Sequence, residues 1–319
     1  MKQALILIAS ILILTVLSIP FAEADVAFVP GDGTIDVTIN GSPVTTYRYG
    51  PDLAKPILYP VFTPQGVRVT RAWPLEEVEG ESTDHPHHTG MFFTVDEVNG
   101  NRFWGNTKGL PHIRHVETSA MKAGKNKGVL SVVHQWIGAV GTTLLEERRI
   151  MTFIPGADGY AVDFNITLTA VDTTVVFGDT KEGMFAIRVA PWLREQDGNG
   201  HYYSARGGTS AAEIWGRRSE WVALEGAKDG CIAGVAILNH PSSINYPTYW
   251  HARNYGLFSA NPLGQAAFQN GTGNDNPVPF NLTLDKGESA LFRFMLIIYD
   301  GPKTPEDMGK RFSDYRNRQ

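Results

Sequence analysis

The stretch TDHPHHTGMFF, Thr83 to Phe93, places three of the chain's nine histidines within four positions. Imidazole changes charge near neutral pH, so such crowding suits proton transfer, metal ligation or the gripping of a ligand. Pro86 biases His85 toward an extended backbone. On an extended backbone His85 and His87 point one way and His88 the other. Asp84 then stands where it can orient one ring through its second nitrogen. The spacing matches no standard zinc signature, having neither H-E-x-x-H nor a cysteine partner.

Three further stretches carry chemistry-bearing side chains. NHPSSINYPTYWHARNYGLFSANPLG, Asn239 to Gly264, gathers Trp250, His251, Arg253, Tyr255 and Asn261. Aromatic faces suit the apolar faces of a pyranose, and Arg, Asn and His suit its hydroxyls. Prolines at 241, 247 and 262 argue for an ordered loop here rather than regular strand. In FGDTKEGMFAIRVAPW, Phe177 to Trp192, Arg188 shares a strand face with Ala186 and Ala190. A buried guanidinium there needs a carboxylate, and Glu182 or Asp179 is the natural candidate. DEVNGNRFWGN, Asp96 to Asn106, reads as a hairpin turning at Asn99-Gly100, with Trp104 as a wall of the pocket.

The elements that must position these residues are strands. Glycine is abundant, at 33 residues, and punctuates short runs of Val, Ile, Thr, Phe and Tyr. Tyr160, Val162, Phe164, Ile166 and Leu168 fall on one face of a strand, with Ala161, Asp163, Asn165 and Thr167 on the other. Thr142 to Phe153 is the strand before it, joined through IPGADG. Other expected strands are Thr34–Asn40, Val44–Tyr49, Ile57–Phe62, Val67–Ala72, Gly90–Asp96, Val129–Ile137, Phe185–Val189, Ile232–Leu238, Phe280–Leu284 and Ala290–Tyr299. The last is apolar on both sides apart from Arg293, the mark of a central strand. The one clear helix signal is C-terminal: Thr304 as N-cap, Pro305 next, Glu306 and Asp307 in the first turn, then a stripe of Met308, Phe312 and Tyr315. These elements predict an all-β protein, a large antiparallel β-sandwich of two stacked sheets with a short C-terminal helix. Residues 25–319 read as one domain. The polar, glycine-rich segment 106–128 is where a two-domain chain would break.

The first residues set the compartment. Met1-Lys2, an apolar run from Ala4 to Ile19, Pro20 and Ala22-Glu23-Ala24 form a signal peptide over residues 1–24, with cleavage expected after Ala24. The expected destination is the periplasm or the outside of the cell. No later run is apolar enough for a membrane span once the signal is cut. The net charge of -5, without a clustered basic face, argues against a nucleic-acid partner. Cys231 is the only cysteine, so no intramolecular disulfide can form, and it reads as a buried packing thiol.

DHPHHTGMFFTVDEVNGNRFWGN, FGDTKEGMFAIRVA and PTYWHARNYGLFSANPLG, in that order, resemble the PmoA-like domain of unknown function found in exported bacterial proteins. The resemblance runs from about residue 40 to 315. It implies a galactose-mutarotase-like supersandwich and a carbohydrate or glycan fragment as ligand. Mutarotase relatives use a histidine acid and a carboxylate base with aromatic and arginine contacts; the matching residue types here are His85, His87, His88, His251, Glu182, Arg188 and Arg253. The methane-oxygenase label is not expected to hold, because a membrane copper oxygenase needs several spanning helices.

The leading reading is an exported carbohydrate-active enzyme: an epimerase, lyase or hydrolase. In it His251 and one of His87 or His88 move protons, and Glu182 is a base or orients Arg188. Arg253 holds a carboxylate or hydroxyl pair, Trp250 and Tyr255 stack on a ring, and Trp104, Arg188 and Asn261 complete the substrate contacts. A second reading makes His85, His87 and His251 the ligands of a divalent metal. A third is a glycan-binding module without catalysis.

Overall fold

A computed structural model describes residues 25–197 and 199–318. The expected signal peptide lies outside the described residues. Two antiparallel sheets stack face to face. In the first, of nine strands, the neighbours run Tyr249–Ala252, Leu257–Asn261, Gly183–Arg188, Met91–Val95, Ile57–Val61, Ser42–Arg48, Thr34–Ile39, Asp25–Gly31 and Gly124–Lys125. The second, of eight, runs Gly200–Ser204, Trp221–Lys228, Cys231–Asn239, Ser289–Asp300, Gly159–Ala170, Thr143–Gly156, Gly128–Ile137 and His112–Lys122.

The alternation read from Tyr160 to Leu168 takes the form it predicts. Those five apolar side chains are buried against the other sheet, and the residues between them are half-buried. Ala157-Asp158 close the hairpin to the preceding strand. Ser289–Asp300 is apolar on both faces for a specific reason. Phe292, Phe294, Leu296 and Ile298 point into the sandwich, while Met295, Ile297 and Tyr299 lie in a second apolar cluster with Met308 and Tyr315 of the Pro305–Arg316 helix. That helix begins with a reciprocal capping box between Thr304 and Asp307.

Several expectations change. Val67–Ala72 is not a strand and keeps only isolated bridges, Phe62 to Arg68 and Thr70 to Val189. Of Phe280–Leu284 only Thr283–Leu284 pairs. Within the polar segment 106–128, His112–Lys122 is the edge strand of the second sheet, and its polarity fits an exposed edge. Tyr249–Ala252 and Leu257–Asn261 form an antiparallel pair where an irregular loop was expected, because the three prolines fall outside both strands. Cys231 is exposed, not packed. No helix among the described residues is long and apolar enough to cross a membrane.

Candidate functional site

The outward face of the first sheet carries the site. Strand alternation sends Phe93, Phe185, Trp250 and Phe258 into the sandwich core and Phe92, Ala186 and Leu257 to the opposite face. The register then lines up one row across four strands: Phe92 opposite Ala186, Ala186 opposite Ser259, Ser259 opposite His251. The two middle members are small and buried, and Phe92 and Ala186 pack with Trp104 on this face. His251, at the end of the row, lines a cleft of about 270 Å³.

The sequence motifs meet at this cleft. His85, His87 and His88 line it from the Thr83–Phe93 stretch, with Lys181 and Glu182 from the second motif and His251, Arg253 and Tyr255 from the third. Asp96, Arg102 and Trp104 come from the hairpin, which turns at Asn99-Gly100 as expected, with positive φ at both (47° and 76°).

The histidine segment is not extended. His85 has φ 46°, and the His88 N–H donates to the His85 carbonyl at 3.0 Å, closing a turn through Pro86 and His87. The conformational bias before proline is overridden by two buried arginines. Arg71, 2 % exposed, donates to the carbonyls of Ser82, Asp84, His85 and His88 (2.9–3.2 Å) and to Asp84 Oδ1 at 2.6 Å. Arg188, wholly buried, donates to the same Oδ1 at 2.7 Å. Neither Glu182 nor Asp179 pairs with Arg188. Glu182 pairs with Lys181, and Asp179 accepts from the amides of Ala266, Ala267 and Phe280 (2.9–3.0 Å). The other Asp84 oxygen takes His85 Nδ1 at 2.8 Å, which fixes that ring and turns Nε2 away from the carboxylate. Arg71 was missed as a site residue; its signal was a guanidinium at the alternate position after Val67 and Val69 in VRVTRA.

The turn stacks its rings. Phe92, His88, His85 and Tyr255 form a column of near-parallel rings at centroid spacings of 6.2, 4.9 and 5.1 Å. Trp104 meets His88 edge-on at 5.4 Å. The Arg188 guanidinium lies 4.6 Å from the Tyr255 ring centre. Tyr255 is thus engaged by protein groups, and its expected service as a sugar platform gives way to a structural one. Trp250 likewise belongs to the core: it is buried, its Nε1–H donates to the Ser219 carbonyl at 3.0 Å, and it stacks on Phe258. Asn261 spends its amide on the Thr180 carbonyl and the Leu263 N–H (both 2.9 Å), bracing the loop that carries Glu182. Arg188 braces rather than lines the cleft. The metal reading also needs correcting: no group of three or more His, Cys, Asp or Glu among the described residues is set to hold one ion, so His85, His87 and His251 do not make the expected ligand set.

What the cleft offers instead is unspent hydrogen-bonding capacity. Both ring nitrogens of His88, Nδ1 of His251, Nε1 of Trp104 and Oδ1 of Asp96 are buried without a partner among the described residues. Natural proteins leave few such atoms, and each calls for a reason. Residues 34–313 match DUF6807, described as a family of unknown function. The chain belongs to that family. The PmoA-like designation is not part of the match. No curated protein matches the chain. Among solved structures, the chain is similar to a putative aldose 1-epimerase from Klebsiella pneumoniae subsp. pneumoniae MGH 78578, at 10 % identity and TM-score 0.44 over 92 % of this chain and 89 % of that one. It is similar to a galactose mutarotase-like protein from Clostridium acetobutylicum, at 10 % identity and TM-score 0.43 over 88 % of this chain and 99 % of the other. A third likeness is to the galactosidase domain of the alpha-galactosidase-sucrose kinase AgaSK, at 9 % identity and TM-score 0.43, over 86 % of this chain and 41 % of that chain.

In this DUF6807 member three imidazoles of the cleft, those of His87, His88 and His251, are held neutral. Burial, then His87 and Arg188, pushes His88 far below the usual imidazole range. Burial, with Lys55 and His85 adding, lowers His87 to about 4. Burial, with Lys181 and Arg253, lowers His251 to about 3. Asp84 moves the other way from a buried carboxyl: Arg188 and the hydrogen bonds it accepts outweigh burial and hold it ionised well below the usual carboxylate range.

The two shifts act on stability with the same sign. As pH falls below the ordinary imidazole value of 6.5, the unfolded chain takes up protons that the folded rings refuse, down to about 4 for His87 and about 3 for His251. Stability therefore drops across that window. Asp84 contributes stability above the ordinary carboxylate pKa, and that too is lost in acid. The midpoint of urea unfolding is expected to fall steadily from pH 7 to pH 4.5. A midpoint that stays flat over this range would show that the folded rings protonate freely.

Proposed function

We propose that the cleft binds a sugar or glycan fragment and moves protons on it, in an isomerisation or elimination, with His88 and His251 as neutral imidazoles and Glu182 as the carboxylate. The observation that carries this reading is that both ring nitrogens of His88 and Nδ1 of His251 are buried without a partner among the described residues at a polar cleft. A neutral imidazole can accept a proton from a hydroxyl or an activated carbon and return it elsewhere. Arg253 at the same cleft offers a planar pair of donors for vicinal hydroxyls or a carboxylate. Its neighbours Glu182 and Lys181 keep opposite charges side by side, which suits a ligand rich in hydroxyls of both donor and acceptor character. Export, read from residues 1–24, would place the protein where glycan fragments arrive from outside.

The test is a panel of mono- and oligosaccharides, scored for binding by calorimetry and for anomer exchange or solvent deuterium uptake by NMR. The expected result is turnover that His251→Ala and Glu182→Gln lower at least a hundredfold, with binding kept within a few fold. A parent protein that binds saccharides but never turns one over would make the cleft a glycan-binding module. Failure to bind any saccharide would end the reading.

A further inference from the structure

His87 also lines a second cleft, which holds a lysine paired with no carboxylate among the described residues. Lys55 lies in the run Ala54–Tyr59, all of it buried, and is itself 3 % exposed. The chain bends at Ala54 and Lys55 before the Ile57–Val61 strand, and the Ile113 N–H anchors the bend by donating to the Ala54 carbonyl at 2.9 Å. Among the described residues no carboxylate pairs with its ammonium; its recorded contact is the face of Phe92, with Nζ 5.0 Å from the ring centre. Lys55 lines a cleft of about 280 Å³ walled by Leu53, Pro74, Leu75 and Pro86, with His87 at one end. The titratable groups facing it there are His87 and Asp52. In a smaller recess that Lys55 also lines, they are Tyr49, His112, Arg114 and His115.

A surface lysine spends its charge on water or on a carboxylate. A lysine carried to this depth against apolar walls, without a partner, is driven to shed its proton. Burial lowers Lys55 to about 7. A neutral amine at the wall of a cleft is a nucleophile, the state that Schiff-base lysines require.

We propose that Lys55 is a carbonyl-capturing amine, condensing with a small aldehyde or ketone, the open-chain form of an aldose included, that enters the Pro74–Pro86 cleft. The amine nitrogen attacks the carbonyl carbon, forming the C–N bond as the C=O pair moves to oxygen. A proton passes from nitrogen to that oxygen to give a carbinolamine. Loss of hydroxyl, protonated to water, leaves the C=N bond of an imine. No oxidant or reductant is consumed. This cleft shares His87 with the one that holds His88 and His251, but the capture step uses neither His88 nor His251, so it stands or falls independently of the sugar chemistry assigned there.

The experiment is reductive trapping on the intact protein. The protein is incubated at pH 7 with glycolaldehyde and cyanoborohydride, and the modified lysines are located by peptide mass mapping over time. An ordinary lysine is neutral in only about one molecule in a thousand at that pH. Lys55 is expected to gain the hydroxyethyl group at least roughly tenfold faster than the exposed Lys108 and Lys122, the lead disappearing near pH 10. Lys55→Met is expected to lose only that peptide's label. Labelling of Lys55 no faster than that of Lys108 would overturn the proposal. Because the unmodified protein supplies the decisive rates, the test holds even where the variant folds poorly.

Discussion

Asp84→Ala is expected to lower the unfolding free energy by on the order of 3 kcal/mol and to abolish ligand binding at the cleft. One carboxylate oxygen serves both Arg71 and Arg188, whose side chains are 2 % and 0 % exposed. Removing it strands two guanidinium groups beside one another with no directly bonded carboxylate; Arg188 already disfavours the Arg71 charge, and only the more distant Glu81 still favours it. The cost is that of an uncompensated buried cation, which exceeds the value of any surface pair. The same oxygen set holds His85 through Nδ1, so the ring column from Phe92 to Tyr255 loses its register as well. Chemical denaturation of the two proteins at pH 7 measures the first effect and calorimetric titration the second. Loss below about 1 kcal/mol would place Asp84 among ordinary exposed pairs.

His88→Leu carries the second large effect, and its two parts have opposite signs. The imidazole is buried with neither nitrogen satisfied, so the fold gains nothing from its polarity. A leucine of similar bulk against Phe92 and Trp104 is expected to leave stability unchanged or raise it by about 1 kcal/mol. Part of the acid sensitivity should vanish with it, since His88 is among the rings kept neutral. Turnover is expected to fall between a hundredfold and ten thousandfold, the span of a general acid–base group. A residue kept only for packing would give the reverse pattern: lower stability and unchanged turnover. A stabilising, inactivating replacement is the signature of a side chain retained for chemistry.

Much of this frame is legible in the sequence. The alternation in Tyr160–Leu168 was plain because one face meets the other sheet and the opposite face is only half covered. The Thr304–Asp307 box was plain because capping is decided within four residues. That the histidine, arginine and aromatic motifs would share a hollow was legible as residue types, and Glu182, His87, His88, His251, Arg253, Tyr255 and Trp104 do line it. The pairing of Arg188 was not legible, because its carboxylate lies 104 positions away and nearer acids looked sufficient. The shape of the His85–His88 turn escaped for a related reason. Local preference before proline favoured an extended chain, and four tertiary hydrogen bonds to Arg71 overruled it. The aromatics of the third motif divided by parity along their strand, Trp250 inward and His251 outward. Assigning that parity requires knowing where the strand begins, and the surrounding prolines hid its start.

The row Phe92, Ala186, Ser259, His251 fixes a distance by strand count. Three interstrand steps of about 4.8 Å set Phe92 and His251 roughly 14 Å apart, whatever side chains are fitted along it. Phe92 anchors the ring column that carries His88 and His85, and His251 stands on the far strand. Substitutions along the row can change what fills the interval, but moving its two ends apart would take a further strand.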